Sequence, residues 1–181
     1  MKILFAARLE AVKNPITFVE AGMQLPNHEF TVAGDGSLRK QCELLASCSN
    51  NVKFLGWVNS EAIRRLMRET DIFCQLDNIE NIWSSSLVAA MKNKKAIICT
   101  NVGYTNRYLK DNYHVLLISP RSCSELVGAI ERLANSIDLR QRLGENAQIF
   151  VHENLSIEKI VKEIQDCVTA TVHDWKERRT N

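Results

Sequence analysis

The sequence lacks the segments that would anchor a chain in a membrane or direct its secretion. No apolar run reaches transmembrane length, and the opening residues are too short and have no small-residue cleavage site for a signal peptide. The six cysteines show no paired spacing of the kind that binds zinc. Two of them, Cys74 and Cys99, lie in apolar runs, where cysteine usually acts as a small hydrophobic residue. We therefore expect a reduced, cytoplasmic protein without disulfides, metal or cofactor.

The usual signs of hydrolytic, redox or nucleic-acid function are also missing. The four histidines are scattered, and no Ser-His-Asp or Cys-His arrangement is visible. A net charge of +2 gives no indication of nucleic-acid binding. Gly34-Asp35-Gly36 lacks the third glycine of the dinucleotide fingerprint and follows the second strand rather than the first. We interpret it as a plain turn, and a nicotinamide-binding oxidoreductase is therefore disfavoured.

Strand and helix patterns alternate along the 181 residues, with no repeat, low-complexity segment or flexible linker. Strands are predicted over residues 2–7, 29–33, 52–55, 72–75, 96–99 and 115–119. Helices are predicted over residues 15–25 (with Asn14 as N-cap), 38–46, 61–68 (capped by Ser60), 122–134, 137–151 and 157 to about 175, with a short helical turn over 104–109. This alternation predicts an α/β fold, a Rossmann-like, doubly wound parallel sheet of about six strands with helices on both faces and a helical C-terminal end.

The stretch from Gln75 to Gly103 is the region around which the remaining elements are arranged. It comprises a strand end, a polar loop, a helix with cap candidates Ser84, Ser85 and Ser86, a buried strand and a glycine turn. A polar loop that leads into the N-terminus of a buried helix, between parallel strands, is a natural anion site.

Two cations, Arg8 and Lys13, follow the first predicted strand. At the edge of the sheet they could hold a diphosphate, and the alternative is that they are two solvated loop charges. The spacing alone leaves both interpretations open.

Several segments, in their order along the chain, resemble the C-terminal domain of family 4 retaining glycosyltransferases of the GT-B fold. The family's Arg-Leu-x-x-x-Lys-Asn/Gly-Pro opening is similar to AARLEAVKNP, and its next two motifs are similar to VAGDGSLRKQCELLA and NVKFLGWV. The donor loop, the Glu-Ala-Met helix and the following strand are similar to ENIWSSSLVAAM and AIICTNVG. The helices at the C-terminal end of the family's domain are similar to LRQRLGENAQIFVHENLSIEKIVKEI. The resemblance covers nearly the whole chain.

The resemblance implies a hexosyltransferase that moves a sugar from a nucleotide donor to an acceptor. Residues 1–181 would be the donor-binding domain, with acceptor contacts from an N-terminal domain. Arg8 and Lys13 match the catalytic diphosphate-binding pair. The substrate-binding matches are the sugar-hydroxyl position (Glu80 or Asn81), the first turn of the helix (Ser84, Ser85, Ser86 and Leu87) and the turn beside the nucleobase (Gly56, Trp57 and Val58). The expected partner is the nucleotide sugar, with no nucleic acid and at most peripheral membrane association of the full-length enzyme.

The chain departs from the family pattern at the glutamate that binds the ribose hydroxyls, where it carries Ala89. Counting back eight places from Ala89 reaches Asn81, so Glu80 fits only with a shift of one residue. The loss of a ribose acceptor should weaken donor binding by roughly 1–3 kcal/mol if nothing replaces it.

No acceptor domain precedes Met1 in this sequence. The chain is therefore expected to be either one half of a longer enzyme, which we favour, or a free-standing protein. The second possibility gives the alternative function, a non-catalytic or degenerate nucleotide-sugar binding module.

Overall fold

The computed structural model describes residues 1–79, 83–103 and 105–180. Its strands are β1 Lys2–Ala6, β2 Glu29–Ala33, β3 Val52–Gly56, β4 Ile72–Gln75, β5 Ala96–Thr100 and β6 Leu116–Ile118. Its helices are α1 Pro15–Gln24, α2 Arg39–Leu45, α3 Ser60–Glu69, α4 Ser85–Lys92, α5 Thr105–Tyr108, α6 Cys123–Ala134, α7 Ile137–Asn154 and α8 Ile157–Thr180. Short 3-10 helices span Ala11–Lys13 and Ala46–Cys48.

The six strands form one parallel sheet in the order β3-β2-β1-β4-β5-β6, which confirms the predicted fold class. In the centre of the sheet, Phe5 of β1 lies opposite Val32 of β2 on one side and Cys74 of β4 on the other. The chain first adds β2 and β3 on one side of β1 and then adds β4, β5 and β6 on the other side. The carboxyl ends of β1 and β4 therefore diverge into loops that lead to opposite sides of the sheet.

The core has two layers because alternate residues of each strand face opposite sides of the sheet. On one side, Phe5 contacts Phe18 of α1 at 5.4 Å between ring centroids, and Phe18 contacts Phe30 at 5.1 Å. On the other side, Leu4 and Phe73 belong to a second cluster with residues of α3, α4 and α7. Helices thus cover both faces, as the apolar strand runs predict.

Two predicted helix caps differ from the structure in their chemistry. Asn14 occupies the N-cap position of α1, but in a left-handed conformation (φ 54°), and its side chain accepts from the Thr17 hydroxyl rather than from a backbone amide. The predicted cap Ser60 is wrong, since Ser60 is the first residue of α3. Asn59 is the cap, and its Oδ1 accepts from the Ala62 amide at 2.9 Å.

Several predicted boundaries also shift. α2 ends at Leu45 because the chain tightens into the 3-10 turn that follows. The last two helices run beyond their predicted ends, to Asn154 and Thr180. β6 is shorter than predicted. Tyr104, the predicted start of the short helical turn, lies outside the described residues.

Cys74 and Cys99 are buried in the sheet and behave as small apolar residues, as their sequence context indicates. Burial raises the pKa of both thiols well above the usual range, so that they stay protonated. Among the described helices, none has the length and apolarity needed to cross a membrane.

Helix α7 lies along α4 and contacts it at both ends. Trp83, which precedes α4, stacks on Phe150 of α7 with ring centroids 5.8 Å apart. At the other end, the Gln148 side chain donates to the Lys92 carbonyl at 3.0 Å. Gly144 permits this close approach, because a Cβ at that position would lie 2.1 Å from the Lys94 carbonyl oxygen.

Gly144→Ala should therefore destabilise the fold. The added methyl group meets backbone rather than a flexible side chain, so we expect a loss of about 1–3 kcal/mol in the free energy of unfolding. Gly128→Ala is the matched control in α6, where a Cβ meets nothing within 4 Å. That variant should gain about 0.5–1 kcal/mol from helix propensity. Denaturant unfolding of both variants tests this, and equal stabilities would contradict the packing argument.

Candidate functional site

A cavity of about 510 Å³ opens at the carboxyl ends of β1, β2 and β4, between the N-terminal ends of α3 and α4. It lies where the strand order reverses beside β1. In open parallel sheets this crevice is the general place for ligands. The topology therefore places a concave site next to the loops that the sequence marks as candidates.

The floor of the cavity consists of small residues from β1, β2 and the turns that follow them. Ala7 and Gly34 lie so close that a Cβ at position 34, where φ is +144°, would be 1.9 Å from the Ala7 carbonyl oxygen. Asp35 also lines the cavity, but its carboxylate accepts from the Gly36 amide and the Arg39 guanidinium. Both contacts lower the pKa of Asp35. The interpretation of residues 34–36 as a plain turn thus missed that Gly34 and Asp35 line the cavity.

Arg8 and Lys13 both line the cavity, but their surroundings differ. Arg8 is exposed, and no carboxylate among the described residues lies within ion-pair distance of it. Lys13 is largely buried, and its Nζ lies 2.8 Å from Oδ1 of Asp77. Of the two cations, Lys13 is thus paired with a carboxylate, while Arg8 has Glu10 near enough for an electrostatic interaction but not for an ion pair.

Helix α4 begins at the cavity with the serines that the sequence indicates. Ser84 is the N-cap: its Oγ accepts from the Leu87 amide at 3.2 Å and donates to Oε1 of Gln75 at 3.0 Å. Ser85 and Ser86 line the cavity together with Ala89. The Leu87 side chain is buried in the core instead. The first turn of α4 thus brings hydroxyls and the positive end of the helix dipole to the cavity.

The opposite wall is formed by the chain after β3 and by α3. Gly56 ends β3 at φ +67°, and its carbonyl accepts from the Gly34 amide. The following Trp57 and Val58 line the cavity, with Trp57 76% exposed. Arg64 of α3 also lines it, and sequence reasoning missed this residue. Its only sequence signal is a position in the first turns of a helix that starts at this edge of the sheet.

The predicted sugar-hydroxyl residues Glu80 and Asn81 lie outside the described residues, so their roles stay predictions. Among the described residues, no group of three His, Cys, Asp or Glu side chains could hold a metal ion. The described part of the site combines cations, serine hydroxyls and a helix N-terminus with an exposed indole. Such a set suits a ligand that carries both an anionic group and a planar ring.

The family model for glycosyl transferases group 1 matches residues 1–150. The chain belongs to this family. The family resemblance seen in the sequence motifs is thereby confirmed.

One sequence relative and two solved structures show what this chain is similar to. An uncharacterised glycosyltransferase of Methanocaldococcus jannaschii is 29% identical over 170 residues, which are 90% of this chain but 43% of that protein. HepE of Anabaena, solved with UDP-glucose, superposes with a TM-score of 0.84 at 20% identity, over 93% of this chain and 48% of its own. The C-terminal domain of a group 1 protein (LpcC) of Francisella tularensis superposes with a TM-score of 0.76 at 22% identity, over 86% of both chains. This chain therefore spans less than half the length of the Methanocaldococcus relative.

Ser84→Ala should destabilise the protein because it removes the cap of α4 and the hydroxyl bonded to Gln75. We expect a loss of about 1 kcal/mol, the usual value for an N-cap. Ser85→Ala, one position further into the helix, is the control, and it should change stability by less than about 0.5 kcal/mol. Urea unfolding of the two variants measures the difference, and indistinguishable midpoints would show that Ser84 contributes no cap.

Proposed function

We propose that the cavity beside β1 and β4 binds the nucleotide-diphosphate sugar of a glycosyl transfer reaction. The observation that carries this proposal is the convergence of Arg8, Lys13 and the N-terminus of α4 on one wall of the cavity. Cations and helix N-terminal amides are the groups that bind phosphates most effectively. The UDP-glucose complex of the structurally similar HepE supports the same ligand class.

In this proposal, the cations serve the transition state more than the ground state. As the glycosidic bond breaks, negative charge grows on the departing phosphate. Groups that are already oriented toward that phosphate stabilise the added charge without reorganisation. We assign this role to Arg8 and Lys13 and propose transfer with retention of anomeric configuration, as the family resemblance implies.

The nucleoside is proposed to lie against Trp57 and Val58, which line the cavity after β3. An exposed indole offers a flat surface on which a base can stack. Ala89 offers no acceptor to the ribose hydroxyls. We therefore expect the phosphate contacts to account for most of the binding free energy in this chain.

We propose that residues 1–181 form the donor-binding half of a two-domain enzyme. The Methanocaldococcus relative is more than twice as long as the matched region, and the Francisella C-terminal domain matches almost end to end. An exposed apolar face on helix α8 is also consistent with contact to a second domain. Val161, Ile164 and Val168 share this face and are 45–58% exposed. We propose that the other half of the enzyme covers this face.

Nucleoside diphosphates should bind more tightly than nucleosides, and Arg8→Ala should remove much of the difference. We expect the variant to lose about 1–3 kcal/mol of binding free energy for uridine diphosphate, the usual range for a charged hydrogen bond. Uridine binding should hardly change, and added salt should narrow the difference between the two ligands. Isothermal titration calorimetry measures all three effects.

Arg65→Ala is the control for this experiment, because Arg65 is an exposed arginine of α3 that does not line the cavity. It should leave both affinities unchanged. Equal losses for uridine diphosphate and uridine in Arg8→Ala would indicate a folding defect, and no loss for either would place the site elsewhere.

The chain by itself should not transfer sugar at an enzymatic rate, since the proposed site accounts for the donor but not for an acceptor. A panel of nucleotide sugars and acceptors should give at most slow donor hydrolysis. Rapid product formation by residues 1–181 alone would contradict the two-domain proposal. Donor binding without transfer, even when a complementary acceptor half is supplied, would favour the non-catalytic alternative.

A further inference from the structure

Asp77 is a buried carboxylate next to the candidate site, and the proposed donor contacts do not use it. It follows β4, and its side chain is 5% exposed. It does not line the large cavity but lies directly behind Lys13, which does. A buried charge is costly unless it is paired and hydrogen-bonded, so the contacts of Asp77 indicate what holds it there.

Each oxygen of Asp77 has a partner from a different part of the fold. Oδ1 pairs with Nζ of Lys13 at 2.8 Å, and Oδ2 accepts from the Gln75 amide group. The main-chain carbonyl accepts from the hydroxyl of Thr100 at the end of β5. Asp77 is therefore held, through its carboxylate and its main-chain carbonyl, by groups that follow or end three strands of the sheet.

These contacts also fix the position of the Lys13 ammonium group. A lysine side chain has four rotatable bonds, and a free one loses rotamer entropy when it is immobilised. Here the side chain is 13% exposed and is already immobilised by Asp77 before any ligand arrives. The entropy of ordering this cation is thus lost on folding rather than on binding.

The same hydrogen bonds reach the N-terminus of α4. Gln75 donates to Asp77 through its amide nitrogen and accepts from the Ser84 hydroxyl through its amide oxygen. Ser84 in turn caps α4 by accepting from the Leu87 amide. One continuous chain of polar contacts therefore joins the Lys13 ammonium to the start of the helix.

We propose that Asp77 is a positioning residue that holds the Lys13 ammonium and, through Gln75 and Ser84, the N-terminus of α4 in the arrangement that binds the donor diphosphate. This inference rests on the proposed donor site and adds a residue that does not itself touch the donor.

Positioning and simple electrostatics predict opposite signs for the removal of the Asp77 charge. A carboxylate beside an anion site repels the anion, so its neutralisation alone should tighten diphosphate binding. If Asp77 acts by positioning, Asp77→Asn should weaken binding of uridine diphosphate at least fivefold, because the lysine loses its fixed place. Inorganic pyrophosphate, which lacks the base and ribose, should show the same loss.

Calorimetry on a set of variants tests this proposal, with circular dichroism melts to verify folding. Asp77→Glu should recover part of the affinity lost in Asp77→Asn. In a Lys13→Ala background, the same Asp77→Asn change should weaken binding by a clearly smaller factor, because only the N-terminus of α4 remains to be positioned. Glu69→Gln is the control, since it removes a carboxylate from an exposed ion pair with Lys2, and it should have no effect.

Tighter uridine diphosphate binding by Asp77→Asn would overturn the inference and leave the donor site intact, provided that Arg8→Ala still weakens binding. An equal loss in the presence and absence of Lys13 would mean general structural damage and would also overturn it. If the unmutated chain binds neither uridine diphosphate nor pyrophosphate, the proposed function and this inference both fail.

Discussion

The pairing of β1 with both β2 and β4 is the constraint on which the remainder of the molecule depends. Because β1 is central and parallel to both neighbours, the chain segments after β1, β2 and β4 all emerge at one edge of the sheet. Crossover connections have a fixed hand, so the helices that follow must lie on opposite faces and leave a crevice beside β1. The cavity is thus a consequence of strand order, and the residues after each strand only decide its chemistry.

That chemistry is unevenly distributed between the two cations after β1. Arg8 lies exposed to the cavity, while Lys13 already has a carboxylate partner. The Asp77 carboxylate reduces the net positive charge of the cavity wall, but it leaves the Lys13 ammonium as an ordered hydrogen-bond donor. Such a site attracts anions less strongly at long range, but it holds its cation in a defined geometry. A defined geometry discriminates one anionic ligand from another.

The sequence predicted the sheet well because most strands are buried on both faces and therefore form short apolar runs bounded by turn residues. The approach of Arg8 and Lys13 to the crevice also followed from their places just after β1. The Asp77 contact could not be predicted in the same way. A carboxylate in a polar loop looks solvated, and only the adjacency of β1 and β4 in space brings it to Lys13. Arg64 was missed because its direction depends on how α3 is rotated against the sheet.

The close packing of α7 against α4 has a consequence for motion. Trp83 and the turn around Lys94 bracket α4, and both are held by α7, through Phe150 and Gly144 respectively. A tilt of α4 alone would break the stacking at one end and cause a clash of backbone atoms at the other. The helix that presents its N-terminus to the cavity therefore behaves as part of a rigid two-helix block. If α4 moves when a ligand binds, α7 must therefore move with it.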